Sequence, residues 1–279
     1  MKARVEVGGQ WWFADLGQGV PLWIPLRFDG PQPNAFGLPE ATAAAFAVPG
    51  FFVGDTRQGG SANCVTVTLN PHGNGTHTEC VGHIVDERVS VESALGTGLV
   101  PAALVSVDLC ARADCPDVYN VPGTEADRVI SAAALEQALR GVPEPWRRAL
   151  VIRTRPNGPD KRQRRHSGQD PAYFTLDAME VVRRSGVEHL LVDLPSVDRE
   201  EDQGGLRAHR IFWQVVAGER VVAPDAVSRR WTITEMIYVP DDVADGLYVL
   251  NLQAAPFVLD AAPSRPVLYP VNDKEDQAP

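Results

Sequence analysis

Short apolar runs and strict alternation dominate the chain, and helical periodicity is rare. Over 64–69 the order CVTVTL places Val65, Val67 and Leu69 on one face and Thr66 and Thr68 on the other, the pattern of a half-buried strand. Asn70-Pro71-His72-Gly73-Asn74-Gly75 follows at once, and such a turn-forming stretch must end the strand. Further strands are predicted at 103–107, at 149–154 (ALVIRT) and at 189–193 (HLLVD). Two helices lie between them. Ser131 is placed to cap one through Arg140, with Gly141 just beyond it. Thr175 caps the other through Arg184, which aligns Leu176, Met179 and Val182 and stops at Gly186. Strand, helix and strand across 149–193 make a βαβ unit. The last quarter reads as strands near 231–238, 248–254 and 267–269, with residues 271–279 a disordered tail. The Pro- and Gly-rich segment 15–51 reads as irregular, with one short strand near 22–26. The pattern predicts an α/β fold with many strands and few helices.

Composition narrows the setting more than the function. Hydrophobic residues make up 44% and charged residues 22%, ordinary for a packed protein and too apolar for general disorder. A net charge of −10 disfavours nucleic acid and anionic membrane as partners, since both select basic surfaces. No run approaches the roughly 20 apolar residues that span a bilayer, and the opening MKARVEVGGQWWFADLG lacks a signal-peptide core. A cytoplasmic location is expected. Four cysteines make no disulfide scaffold in a chain of this length, and they read as buried free thiols.

Of six histidines, His72, His77 and His83 fall in the single stretch HGNGTHTECVGH, and Glu79 stands among them. Imidazole and carboxylate are the ligands that borderline divalent cations such as zinc and manganese select. His77 and Glu79 are two apart, so an extended backbone points both to one side. Each residue alone would pass for an ordinary loop side chain. As a group, with Gly73 and Gly75 allowing tight turns, they point to a metal site.

The stretch Gly75-Thr76-His77-Thr78-Glu79-Cys80-Val81-Gly82-His83 resembles the motif H-x-G-T-H-x-D-x-P-x-H of the metal-dependent cyclase family, which includes bacterial kynurenine formamidases and isatin hydrolases. Gly75, Thr76, His77 and His83 match; Glu79 replaces the aspartate and Val81 the proline. The family's first histidine falls on Gly73, so His72 can take that role only if the loop bulges by one residue. Ala14-Asp15-Leu16, the segment VEHLLVDLPSVD over 187–198, His209 in LRAHRIFW and Glu235 in WTITEMIYVP are similar to further family segments in the same order.

The resemblance implies a single domain over 1–270 with a swivelling β/β/α fold and a mixed sheet, forming a dimer or tetramer. It also implies one or two ions, zinc or manganese, held by His77, Glu79, His209 and Glu235, with His72 as a fifth ligand. His83 becomes the proton-transfer group, because a free imidazole can exchange a proton near neutral pH. The implied activity is hydrolysis of a C–N bond in an aryl-formamide or cyclic amide. Two rivals stand beside it: a cyclase or dehydratase using the same ion as a Lewis acid, and a non-catalytic metal or small-molecule binding protein.

Among the remaining candidates, His166 sits in the most basic stretch, 161–166, which reads as a solvated loop or as a lid attracting a substrate carboxylate. His189 opens an apolar strand and reads as structural. Asp193 and Asp198 are expected to shape the turn toward His209, with a hydrogen bond to a ligand within reach. Trp11, Trp12 and Trp23 are expected in the core, and the acidic loop 202–205 lacks the ligand spacing of a calcium loop.

Overall fold

The computed structural model describes residues 1–273. One eleven-stranded sheet organises them. Its strands are β1 (Lys2–Val7), β2 (Gln10–Asp15), β3 (Val20–Pro21), β4 (His77–Cys80), β5 (Val100–Asp108), β6 (Ala149–Arg155), β7 (His189–Val192), β8 (Thr232–Glu235), β9 (Gly246–Asn251), β10 (Ala261–Pro263) and β11 (Val267–Asn272). Their order across the sheet is β1-β2-β11-β9-β5-β6-β7-β8-β4-β10, with β3 on β11. Strands β5 to β8 run parallel to one another, and every other pairing is antiparallel. The sheet is therefore mixed, as the resemblance implies.

Both faces of the parallel strands are covered, which explains their unbroken apolar runs. Leu104, Val151 and Leu191 stand side by side and pack on Leu22, Leu250 and Leu268. The alternate set, Val105, Leu150, Ile152, Leu190 and Ile233, packs on the opposite side with Leu135, Met179, Val182 and Phe212 from the helices. Each fully buried side chain of this kind contributes about 1.5–3 kcal/mol. The helices are α1 (Val91–Ala94), α2 (Ala132–Ala138), α3 (Leu176–Arg184) and α4 (Arg207–Trp213), with α3 packed between α2 and α4. Ser131 accepts from the Ala134 amide and Thr175 from the Ala178 amide, so both helices start at the caps their sequences predict. Gly186, at φ +78°, follows α3.

Several expectations need correction. The short strand near 22–26 lies instead at Val20–Pro21; beyond it the Leu22 amide donates to the Pro266 carbonyl and the Leu22 carbonyl accepts from the Tyr238 amide, while the Ile24 amide donates to Thr76 Oγ1. The strand near 231–238 stops at Glu235, because Met236 turns the chain with φ +51°. Val271 and Asn272 belong to β11 rather than to a tail, and 274–279 lie outside the described residues. The hairpin of β1 and β2 went unread, although Gly8-Gly9 joins two alternating segments and both glycines have positive φ. Trp11 is exposed under the Arg4 guanidinium, whereas Trp12 meets Trp146 edge-on. Cys64 is exposed and Cys110 half-buried, so only Cys80 and Cys115 are buried thiols.

The strand predicted at 64–69 forms over Val65–Thr68, but it pairs only with Thr42–Ala45 in a two-stranded arm. Among the described residues no second layer covers its apolar face: Val65 and Val67 are 58% and 44% exposed, and Phe51 is 88% exposed. No helix among the described residues is long and apolar enough to cross a membrane.

Candidate metal centre

Strand β4 carries the heart of the site. It lies between β8 and β10, antiparallel to both, and all four of its residues are buried. His77 and Glu79 project to one face, and Glu235 stands directly opposite His77 in the ladder. Helix α4 brings His209 over that face: its Nε2 lies 3.0 Å from Glu79 Oε1 and 3.8 Å from Glu235 Oε1. The turn before β4 delivers His72. The Gly73 and Asn74 amides both donate to the Asn70 carbonyl, and the Asn70 side chain accepts from the His72 amide. This coil supplies the extra residue that the motif spacing demands and sets His72 Nδ1 3.1 Å from Glu79 Oε2. A Cβ at 73 would meet Leu38 Cδ1 at 2.4 Å, so a side chain at the family's histidine position would have to displace the end of Leu38. Gly75, at φ +101°, then turns the backbone into β4.

His83 closes the site from the short 3-10 turn Val81–His83, its Nε2 3.9 Å from Glu79 Oε2. Its ring stacks on His72 at 4.3 Å. Asp260, which sequence reading missed, reaches both rings: Oδ2 is 2.9 Å from His72 Nε2 and 3.3 Å from His83 Nδ1. Nothing local marks this aspartate. It arrives because β10 pairs with β4, and its carbonyl accepts from the Cys80 amide. His77, Glu79, His209 and Glu235 are essentially sealed, whereas the His72, His83 and Asp260 side chains are 22%, 26% and 36% exposed. The mouth of the site is therefore on the His83–Asp260 side.

The donor chemistry fits a divalent cation. A carbonyl only accepts, so His77 Nδ1 donates to Gly75 O at 3.0 Å and its Nε2 carries a lone pair. That Nε2 is buried without a hydrogen-bond partner and faces Glu235 Oε2 at 3.5 Å. His209 repeats the arrangement, since Nδ1 donates to Asp198 Oδ2 at 2.6 Å and Nε2 faces two carboxylates. Lone pairs set against carboxylate oxygens repel unless a proton or a metal ion lies between them. The donor atoms of His72, His77 and Glu79 lie within 4.8 Å of one another, as do those of Glu79, His83 and His209 and those of His72, His83 and Asp260.

The same crowding shifts the site's own titrations. Burial opposes charge on His209, but Glu79 and Asp198 outweigh it and raise its pKa well above the usual range. Burial likewise opposes charge on Glu79, which the surrounding imidazoles nevertheless hold well below the usual carboxylate range. His72 is pushed up to about 10, its hydrogen bonds to Asp260 and Glu79 outweighing burial. Those from His72 and His83 hold Asp260 low.

Of the two aspartates expected near the turn, Asp198 supports His209. It also accepts from the Ala208 and His209 amides at the start of α4 and from the Tyr119 hydroxyl at 2.7 Å. Asp193 points elsewhere, to Lys161 and Thr154. The stretch 161–166 is not a solvated loop throughout: Lys161 and His166 are buried, while Arg164 and Arg165 pair with Asp160 and Glu40. His189 is structural, sharing a hydrogen bond with Thr232 Oγ1. Asp202 is occupied by the Gly204 and Leu206 amides in its own turn.

The Cyclase family model matches residues 14–199, well over half of the chain, including the coil at 72, strand β4 and Asp198. The chain belongs to this family. His209, Glu235 and Asp260 lie beyond the match and join the site through the fold. Among solved structures, a protein described as a predicted metal-dependent hydrolase from Bacillus stearothermophilus aligns at 14% identity with a TM-score of 0.56, covering 90% of this chain and 98% of its own. Isatin hydrolase A from Labrenzia aggregata, bound to benzyl benzoate, aligns at 14% identity with a TM-score of 0.57, covering 90% and 93%. At this identity the likeness shows the fold: a single cyclase-like α/β architecture with a mixed sheet and few helices. No curated protein matches the chain.

Proposed function

We propose that this protein is a metal-dependent hydrolase that cleaves the C–N bond of an amide, with aryl-formamides and cyclic amides as the substrate class. One observation carries the reading. His72, His77, Glu79, His209 and Glu235, from four separate elements, form one connected cluster, with His72 Nδ1 3.1 Å and His209 Nε2 3.0 Å from Glu79 and His77 Nε2 3.5 Å from Glu235, and a further imidazole, His83, stands at its exposed edge. His72, His77, Glu79, His209 and Glu235 would hold one or two ions, zinc or manganese. When bound, such an ion supplies Lewis acidity, acidifying water and polarising a carbonyl.

The chain's own residues do the rest. Asp260 accepts from His83 Nδ1, which leaves His83 Nε2 as the basic atom facing the site. His83 takes a proton from water at Nε2 and returns it to the departing nitrogen, which leaves poorly as an anion. Asp198 holds the His209 proton on Nδ1, keeping Nε2 available to the cation. The isatin hydrolase likeness supports cyclic amides as the first substrates to assay. We further propose a homo-oligomer, for which the uncovered arm around Phe51, Val65 and Val67 offers an apolar surface. Light scattering of the intact protein and of Val65→Asp tests this.

Hydrolysis of an amide of an arylamine releases a proton at neutral pH, because the carboxylic acid ionises and the weakly basic arylamine does not take the proton up, so the decisive assay follows a pH indicator over aryl-formamides and cyclic amides of arylamines, with manganese or zinc added to chelated protein. Metal-dependent acid release that His77→Ala abolishes, together with its bound metal by elemental analysis, is the expected result. Metal binding without acid release would leave a non-catalytic binding protein instead.

A further inference from the structure

The basic stretch 161–166 borders a cavity of its own, about 540 Å³, and none of the side chains lining it belongs to the metal centre. The cavity opens at the carboxyl ends of β5, β6 and β7: Leu109 follows β5, Thr154 is next to last in β6 and Asp193 follows β7. Parallel α/β sheets take their ligands in this position. Its floor is the buried pair of Lys161 Nζ and Asp193 Oδ2, 2.7 Å apart, with Nζ also donating to Thr154 and Asn157. Those two charges are fully occupied with each other.

Two lining groups are not. His166 is 5% exposed, and among the described residues nothing hydrogen-bonds its ring. A ring turned to a cavity with no partner in the protein is free to meet a ligand atom there. Burial, aided by the Arg164 and Lys161 charges, brings its pKa down to about 4, so at neutral pH it offers one N–H donor. Arg128 is the second: its guanidinium is exposed at the cavity and makes no ion pair or hydrogen bond among the described residues. Arg164, paired with Asp160, adds a further cation, and Asp170 is the one lining acid without an ion-pair partner. With Lys161 paired to Asp193 and Arg164 to Asp160, Arg128 is the one lining cation left without an ion-pair partner among the described residues. Pro156, Leu194 and Pro195 supply apolar wall.

We propose that this cavity is a second ligand site, separate from the metal centre, for a small organic carboxylate. The carboxylate accepts from Arg128, whose planar fork suits it, and from the His166 ring; the apolar body lies on the prolines and Leu194. A neutral or cationic ligand would leave Arg128 unanswered.

Calorimetric titration of the metal-loaded protein with benzoate tests the proposal, with benzamide as the uncharged control. The expected result is saturable benzoate binding that benzamide does not reproduce. Arg128→Gln should weaken it by about tenfold, and Arg128→Glu by more. Removing the metal with chelator should change it by less than about twofold. His166→Phe should weaken it as well; Arg128, being exposed, keeps the test valid if that variant folds poorly. Absence of saturable binding, equal binding of benzamide, or benzoate affinity within about twofold of wild type in Arg128→Glu would each overturn the assignment. Loss of binding on chelation would place the anion at the metal centre and overturn it too. The outcome is independent of whether the metal centre hydrolyses amides.

Discussion

Replacing Asp198 by Asn removes a charge while leaving the shape almost unchanged. Oδ1 accepts from Tyr119 and the Ala208 amide, and Oδ2 accepts from His209 Nδ1 at 2.6 Å and the His209 amide at 3.1 Å. Asparagine has one oxygen for these four donors. If its amide nitrogen takes the Oδ2 position, it donates to His209 Nδ1 and drives the ring proton onto Nε2, the atom needed for the cation. If it flips, an N–H meets the N–H of Ala208. A hydrogen bond to a charged group is worth about 1.5–3 kcal/mol. Losing the carboxylate behind a ligating histidine costs about 10- to 100-fold in metal affinity, roughly 1.4–2.7 kcal/mol. The two estimates agree. Competition against a chromogenic chelator at pH 7 should therefore show manganese or zinc binding weakened by about 10- to 100-fold. Tyr119→Phe, which removes one neutral bond to the other oxygen, should change affinity by less than about threefold. An Asp198→Asn protein that binds metal within about threefold of wild type would refute the reasoning, because His209 would then not depend on a fixed tautomer.

Other outcomes follow from the same geometry. His83→Ala should keep its metal and lose about 10²- to 10⁴-fold in kcat, read from steady-state kinetics alongside elemental analysis. Metal uptake displaces protons from the imidazoles facing Glu79 and Asp260, so calorimetry in buffers of differing ionisation enthalpy should register proton release, with affinity falling as pH falls. Lys161→Met leaves Asp193 buried without its cation and should cost about 3–5 kcal/mol, visible as a lower urea midpoint. Burial brings both His166 and His189 down to about 4, so the unfolded chain binds more protons than the folded one between pH 6.5 and 4. Stability contributed by each is intact above pH 6.5 and falls by about 2 kcal/mol at pH 5; urea unfolding of His189→Gln should show a shallower acid limb.

Much of this architecture can be read without coordinates where both faces of a segment are buried or a cap fixes an end. ALVIRT and HLLV lie in the middle of the sheet, and Ser131 and Thr175 start their helices where expected. Periodicity fails at Val65–Thr68 for a simple reason: alternation reports that a strand has two different faces, not that anything covers the apolar one. His72, His77, Glu79, His83, His209 and Glu235 were all identifiable from residue type and motif order, and the fold brings them together. Asp260 was not, because its place depends on pairing between β10 and β4, which no spacing encodes. Asp193 shows the opposite limit, since an acid in a recognisable segment serves Lys161 instead of the metal centre.

The side chains of the site span residues 72 to 260, and this spread dictates when the centre can come into being. A growing polypeptide presents the coil and β4 well before Glu235 and Asp260. Until then Glu79 lacks its antiparallel neighbours, and an ion captured by the nascent imidazoles would be bound through few contacts and released easily. Loading is thereby coupled to completion of the sheet: long-range strand pairing, slow by nature, gates cation retention.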